Sequence, residues 1–205
     1  MQNSFYINYG KRVFDFITSL MGLIFLAPLM FFLAFLIKIY DKGPVFYYSR
    51  RLGQNFKPFT LLKFRTMIVN AEMIGPSVTK DCDKRITRIG RFLRKTKLDE
   101  IPQLWNVLKG DMSLVGPRPE VEKYIFYYRD DYEDILTIKP GITDYATIKF
   151  RNEEEILNQF EDVEKSYIEK VLPEKIKLYK KYLNEVGFLT DLKIIFKTLW
   201  RIIFK

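Results

Sequence analysis

Twenty-one consecutive residues without a charge, Ile17 to Ile37, constrain this chain more than any other feature. At 1.5 Å per residue, a straight helix of that length just spans the hydrocarbon core of a bilayer. A buried helix of a soluble domain carries a polar stripe over such a length, and this segment has none. A secretory signal is a poor fit: the run is too long, no small-residue cleavage site follows, and basic sequence continues. Pro28 sits mid-segment, where it removes a backbone hydrogen bond and clashes with the preceding turn, so a kink is expected there. Both flanks are basic, with Lys11 and Arg12 before the segment and Lys38, Lys42, Arg50 and Arg51 after it. The positive-inside rule then draws both ends to the cytoplasmic side. Two geometries stay open on these grounds, a bent re-entrant hairpin and a kinked crossing helix. Asp15, one turn after Arg12, is expected to pair with it or with a headgroup.

The far end of the chain carries a second membrane signal. Lys193, Lys197, Arg201 and Lys205 recur every four residues, which lines them along one helix face. Leu192, Ile195, Phe196, Leu199, Trp200, Ile202 and Ile203 fill the rest, a pattern that suits a helix lying in the headgroup plane. Thr190 or Asp191 is the expected N-cap, and Gly187 the stop of the preceding helix. Charge is uneven as well. Residues 1–119 hold 19 Lys/Arg against 8 Asp/Glu, and residues 120–205 hold 15 against 17. The first part therefore faces something anionic. A single cysteine, Cys82, excludes a disulfide framework and a Cys-rich zinc site. With no histidine, His triads and His–metal sites are excluded too.

Between the two ends, Pro44 to Met67 reads as two strands joined around Gly53 to Pro58. Val69 to Lys84 reads as a loop with Gly75-Pro76, and Arg85 to Lys95 as a basic amphipathic helix interrupted at Gly90. Ile101 to Leu108 reads as a short helix ended by Gly110, and Glu120 to Ile135 as helical. Lys139 to Arg151 reads as a turn followed by a strand. Glu153 to Val171 and Glu174 to Val186 read as helices split by Pro173. The result is one structural unit: residues 1–42 an anchor with its flanks, 43–186 a catalytic body, and 187–205 an amphipathic terminal helix. Its class is α+β, mostly α, with a few short strands.

The densest chemistry lies in LDEIPQLWNVLKGDMSLVGPRP, Leu98 to Pro119. Asp99 and Glu100 precede a helix with Pro102 in its first turn, so Asp99 is the expected N-cap. Arg88, Arg91, Arg94, Lys95 and Lys97 come just before. Gly116-Pro117-Arg118-Pro119 is a rigid turn that presents Arg118. Lys63 and Arg65 alternate off a strand and share a face. Two adjacent carboxylates in a ring of cations suit phosphoryl chemistry: one carboxylate attacks phosphorus, a second holds Mg²⁺, and Arg and Lys clamp the developing charge. No Walker A pattern is present, so a P-loop nucleotidase is excluded.

These motifs, together with KRVFD (Lys11–Asp15), KFRTM and PGIT, resemble the bacterial sugar transferases, the small monotopic phosphoglycosyl transferases, over nearly the whole chain. The resemblance implies a re-entrant membrane helix, interfacial amphipathic helices and short strands around the active site. It also implies transfer of a sugar 1-phosphate from a UDP-sugar to polyprenol (undecaprenyl) phosphate, with release of UMP. That is a ping-pong reaction that starts glycan assembly at the cytoplasmic face of the inner membrane. By position, Asp99 matches the nucleophile and Glu100 the Mg²⁺ ligand. Lys63, Arg94, Arg118 and Arg151 match phosphate-binding residues, and Pro28 the residue that breaks the re-entrant helix. Two departures stand out. Ala27 precedes Pro28 where relatives often carry Ser, and Asp144-Tyr145-Ala146 follows PGIT where many carry Gly and a small residue or Trp. The implied partners are a UDP-sugar, polyprenol phosphate and the phospholipid membrane, with no nucleic acid.

Two other classes compete. A membrane-anchored basic module for nucleic acid or anionic lipid explains the charge, but not Asp99-Glu100 among cations, since carboxylates weaken phosphate-backbone binding. A bitopic scaffold would use Ile17 to Ile37 as a crossing helix.

Overall fold

A computed structural model describes residues 5–75, 78–80 and 83–204. Pro76, Cys82 and Lys205, which the sequence reading used, lie outside the described residues. Helix α1 runs uninterrupted from Lys11 to Asp41 and includes Pro28. The break expected at Pro28 is therefore not a break in the helix. Both ends of α1 rest on the same body. Near its start, Arg12 donates to the carbonyls of Val107 (2.7 Å) and Leu108 (2.8 Å). Near its end, Leu33 and Ile37 are buried with Phe64 and Leu93. Between them Phe25 is 84% exposed and Phe31 77%. By length and composition α1 is apolar enough to cross a membrane, and only 11% of its most apolar stretch is buried against the protein.

Asp15 pairs with neither Arg12 nor solvent. It is buried, and its Oδ1 accepts the Leu114 amide at 3.0 Å. Arg12 is taken instead by the carbonyls of Val107 and Leu108, in the last turn of the helix that ends at Gly110. The KRVFD stretch therefore fastens α1 to the body rather than to headgroups.

Strands β1 (Phe46–Leu52) and β2 (Pro58–Phe64) form an antiparallel hairpin, as their aromatic and β-branched content predicts, with Tyr47 opposite Lys63 and Arg51 opposite Phe59. Helix α2 (Arg88–Thr96) runs straight through Gly90. Gly90 is there for space: a Cβ would lie 1.9 Å from the Thr66 carbonyl oxygen. Helix α3 (Gln103–Lys109) ends at Gly110 in the left-handed conformation, as expected. Short strands β3 (Ser113–Val115) and β4 (Gly141–Thr143) pair in parallel. Helices α4 (Glu122–Tyr127) and α5 (Arg129–Ile135) fill the connection. The strand expected after PGIT stops at Thr143, because Asp144 caps helix α6 (Tyr145–Lys149) by accepting the Thr147 amide at 2.5 Å.

Helices α7 (Glu153–Leu157) and α8 (Val163–Ser166) follow. A wide π turn, Tyr167–Val171, leads without a gap into α9 (Leu172–Glu185), so Pro173 sits in a first turn and does not split the run. Helix α10 (Phe188–Ile203) begins at Gly187, not at a Thr190 or Asp191 cap. Asp191 is instead buried, bonded by the Tyr6 hydroxyl (2.7 Å), the Tyr182 hydroxyl (2.6 Å) and Lys11 Nζ (2.5 Å). That cluster locks the start of α1 to α9 and α10. Lys193, Lys197, Leu199 and Trp200 of α10 are exposed, giving the basic and apolar surface the sequence calls for. The architecture is α+β and mostly helical, with two small sheets around the Asp99-Glu100 segment.

Candidate active site

The site begins where α2 ends. Lys97 adopts a left-handed backbone (φ 58°), which turns the chain out of the helix and into a tight 3-10 turn, Leu98–Glu100. Asp99 and Glu100 lie in that turn. The N-cap position of α3 belongs to Pro102, so Asp99 is not the cap and its carboxylate is left for other work. Both carboxylates are buried, at 7% and 8% exposure.

Glu100 is held from two sides. Lys63 Nζ, reaching from β2, donates to its Oε1 at 3.0 Å. Arg118 grips it in bidentate fashion, Nη1 donating to Oε2 at 3.1 Å and Nη2 to Oε1. Burial works against the Glu100 charge, but Arg118 and Lys63 outweigh it and hold the carboxyl well below the usual range. Asp99 goes the other way: burial pushes it up and the Glu100 charge adds to the push, against the pull of Lys63, Lys97 and Arg94. Its Oδ1 is buried and has no hydrogen-bond partner among the described residues. Burial also lowers the Lys63 ammonium, with the Glu100 charge opposing.

Arg118 is presented by two turns locked back to back. Gly116 N–H donates to the Thr143 carbonyl (3.0 Å), and Gly141 N–H to the Pro117 carbonyl (2.9 Å). A Cβ on Gly141 would lie 2.1 Å from the Gly116 nitrogen, so GPRP and PGIT touch through glycine alone. Asp144, fully buried, accepts the Arg118 amide at 3.2 Å. In the sequence Asp144 stands out only as a departure from relatives. Its D-x-x-T spacing to Thr147 is the helix-capping signal that places it.

Arg94 sits next to the pair, not on it. Nη1 donates to Glu154 Oε1 at 2.6 Å and to Thr79 Oγ1 at 2.8 Å, and Nε to Thr66 Oγ1 at 2.9 Å. Glu154 and Thr79 were not singled out in the sequence, and nothing local marks them, since their partner is 60 and 15 residues away. Arg151 is half-buried in the turn between α6 and α7 and makes none of the cluster's bonds. Arg65, expected to share the face of Lys63, donates instead to the Asp41 carbonyl that ends α1 (3.1 Å).

Among the described residues, no three His, Cys, Asp or Glu side chains gather to hold a metal. The carboxylates on offer are Asp99, with a free Oδ1, and Glu100, whose Oε2 carries a single bond. That donor set fits Mg²⁺, which binds one or two carboxylates and takes its remaining ligands from water and substrate phosphates.

Comparison with known proteins places the chain in a family. The chain is 42% identical to the undecaprenyl-phosphate galactose phosphotransferase of Salmonella typhimurium over 158 residues, which cover 70% of the chain and 33% of that protein. It is 38% identical to the UDP-N-acetylgalactosamine-undecaprenyl-phosphate N-acetylgalactosaminephosphotransferase of Aeromonas hydrophila, over 67% of the chain and 33% of the relative. It is 36% identical to the exopolysaccharide production protein ExoY of Sinorhizobium fredii over 205 aligned residues, 93% of the chain and 84% of the relative. The chain thus spans about a third of the length of the first two and most of the third. The family model described as bacterial sugar transferase matches residues 6–205, which takes in α1, the carboxylate pair and α10 alike. The chain belongs to the bacterial sugar transferase family.

Proposed function

We propose that this protein transfers a sugar 1-phosphate from a UDP-sugar to polyprenol phosphate at the cytoplasmic face of the inner membrane, releasing UMP. The observation that carries the reading is the asymmetry of the carboxylate pair: Glu100 is held by Lys63 and Arg118, while Asp99 Oδ1, one residue away, is buried with no hydrogen-bond partner among the described residues. Asp99 Oδ1 attacks the sugar-bearing phosphorus of the donor. The bond from that phosphorus to the bridging oxygen breaks, and its electron pair leaves with UMP. An acyl phosphate then joins Asp99 to the sugar phosphate. In the second half, a phosphate oxygen of polyprenol phosphate attacks the same phosphorus, and the acyl bond breaks to restore the Asp99 carboxylate. Lys63 and Arg118, which meet the neighbouring Glu100, would stabilise the charge that develops on the transferring group. Glu100 would hold Mg²⁺, which when bound neutralises diphosphate charge.

One-sided membrane attachment supports the same reading. A helix of 31 residues is about 46 Å long. A crossing helix would put its two ends on opposite faces, whereas α1 touches the catalytic body near both Arg12 and Ile37 and exposes its apolar middle. The test is UMP release from a panel of UDP-sugars by the full chain with Mg²⁺ and polyprenol phosphate. Release with one or more donors, dependent on Asp99, is expected; no release with any donor overturns the reading.

A further inference from the structure

Among the described residues, Arg51 is a cation near the site whose side chain makes no hydrogen bond or ion pair. Alternation along the β1–β2 hairpin puts Tyr47, Ser49 and Arg51 on the face that also carries Phe59, Leu61 and Lys63. Lys63 reaches Glu100 from that face, so the face fronts the carboxylate pair. Arg51 stands four residues along β1 from the partner of Lys63, about 13 Å away in a strand. Its Nε is sealed from solvent, and among the described residues the Arg51 side chain has no hydrogen-bond partner. The charged groups that act on it are Glu120, which attracts it, and Arg118, which repels it. Glu120 is already engaged, accepting the Tyr167 hydroxyl at 2.6 Å with Lys175 Nζ 3.8 Å away. Arg65 also keeps two buried N–H groups without partners, but its Nη2 is anchored on the Asp41 carbonyl.

A guanidinium with its Nε buried and unpartnered, in the repulsive field of a second arginine, is unfavourable unless an anion completes it. Lys63 and Arg118 already meet one anion, Glu100. We propose that Arg51 binds the nucleoside-side phosphate of the donor diphosphate, leaving Lys63 and Arg118 to the phosphate that moves to Asp99. This rests on the donor being a UDP-sugar, and it adds a division of labour: one arginine for the phosphate that departs, two cations for the phosphate that stays. The acceptor lipid also brings a phosphate, and the two sources separate kinetically.

The experiment uses the full chain in lipid nanodiscs as wild type, Arg51→Gln and Arg51→Lys. Equilibrium dialysis measures UMP binding. Initial rates give KM separately for the UDP-sugar and for polyprenol phosphate. Loss of a charge-assisted bidentate contact should weaken UMP binding about 10–100-fold in Arg51→Gln and less in Arg51→Lys. KM for the UDP-sugar should rise in parallel, with KM for polyprenol phosphate within about twofold. If Arg51→Gln does not fold, Arg51→Lys carries the same comparison, since it keeps the charge and loses the bidentate fork. UMP affinity within twofold of wild type in the folded variants, or a KM change confined to polyprenol phosphate, overturns the proposal. Unchanged Arg51 variants in an enzyme that releases UMP sink this inference alone. UMP binding that needs Arg51, in a protein that transfers from no UDP-sugar, sinks the transfer reading and leaves the anion site standing.

Discussion

Replacing the two neighbouring carboxylates by their amides, one at a time, should move stability in opposite directions. Glu100 sits between Lys63 and Arg118, whose side chains are 19% and 27% exposed. Glu100→Gln removes the anion and leaves two largely buried cations facing each other. Removing one partner of a buried ion pair costs about 3–5 kcal/mol, and because both cations keep some water the lower end, ~3 kcal/mol, applies here. In a chain of this size each kcal/mol shifts the melting temperature about 2–4 °C. Glu100→Gln should therefore melt roughly 6–12 °C below wild type. Asp99 behaves oppositely, because burial and the Glu100 charge disfavour its ionised form. Asp99→Asn removes that charge and should melt at or above the wild-type temperature.

The pH dependence follows from the same signs. A lowered carboxyl contributes stability above its unfolded value and loses it as pH falls through the folded one; Glu100 lies well below 4.5, so its contribution is intact at pH 8 and at pH 5. A raised carboxyl costs stability above its folded value, and the cost fades as pH falls. The Asp99→Asn advantage should therefore be fullest at pH 8 and no larger at pH 5, while the Glu100→Gln deficit is the same at both. The assay is thermal unfolding of the full chain in one detergent at both pH values. Equal losses in the two variants, or no loss in Glu100→Gln, would refute this account of the pair.

Three further outcomes follow from particular contacts. Gly90→Ala drives a Cβ into the Thr66 carbonyl, a backbone atom that cannot swing aside, and should cost about 3 kcal/mol in denaturant unfolding. Asp144→Ala frees the Arg118 amide and uncaps α6, and should lower kcat/KM about tenfold or more through misplacement of Arg118, while the fold loses only about 1 kcal/mol. Tyr9→Cys, in a Cys82→Ser background, should resist a membrane-impermeant thiol reagent on intact cells and react after lysis; labelling before lysis would contradict one-sided attachment.

The parts of this molecule that were legible in the sequence are those set by local pattern. Aromatic and β-branched content between turn residues marked β1 and β2, four-residue spacing marked the surface of α10, and Gly110 marked the end of α3. The carboxylate pair was legible by composition, since Asp99-Glu100 among so many cations has few other uses. What escaped depends on partners far along the chain. Asp15 meets the amide of residue 114, Arg94 meets Glu154, and Asp191 meets Tyr6 and Lys11. Gly90 read as an interruption because a helix-breaking propensity is local, whereas the Thr66 backbone it accommodates is not. Asp99 read as a cap because Pro102 suits a first turn; in the fold Pro102 is itself the boundary residue, and the carboxylate is thereby left without a backbone partner.

The central claim is that Asp99 itself carries the phosphosugar. The direct measurement is a single-turnover reaction with a UDP-sugar, isotopically labelled in the sugar, and no polyprenol phosphate. The account predicts a burst of about one UMP per active enzyme, with label on the peptide containing Asp99, neither of them seen with Asp99→Asn. UMP appearing only after polyprenol phosphate is added, with no label on that peptide, would contradict it.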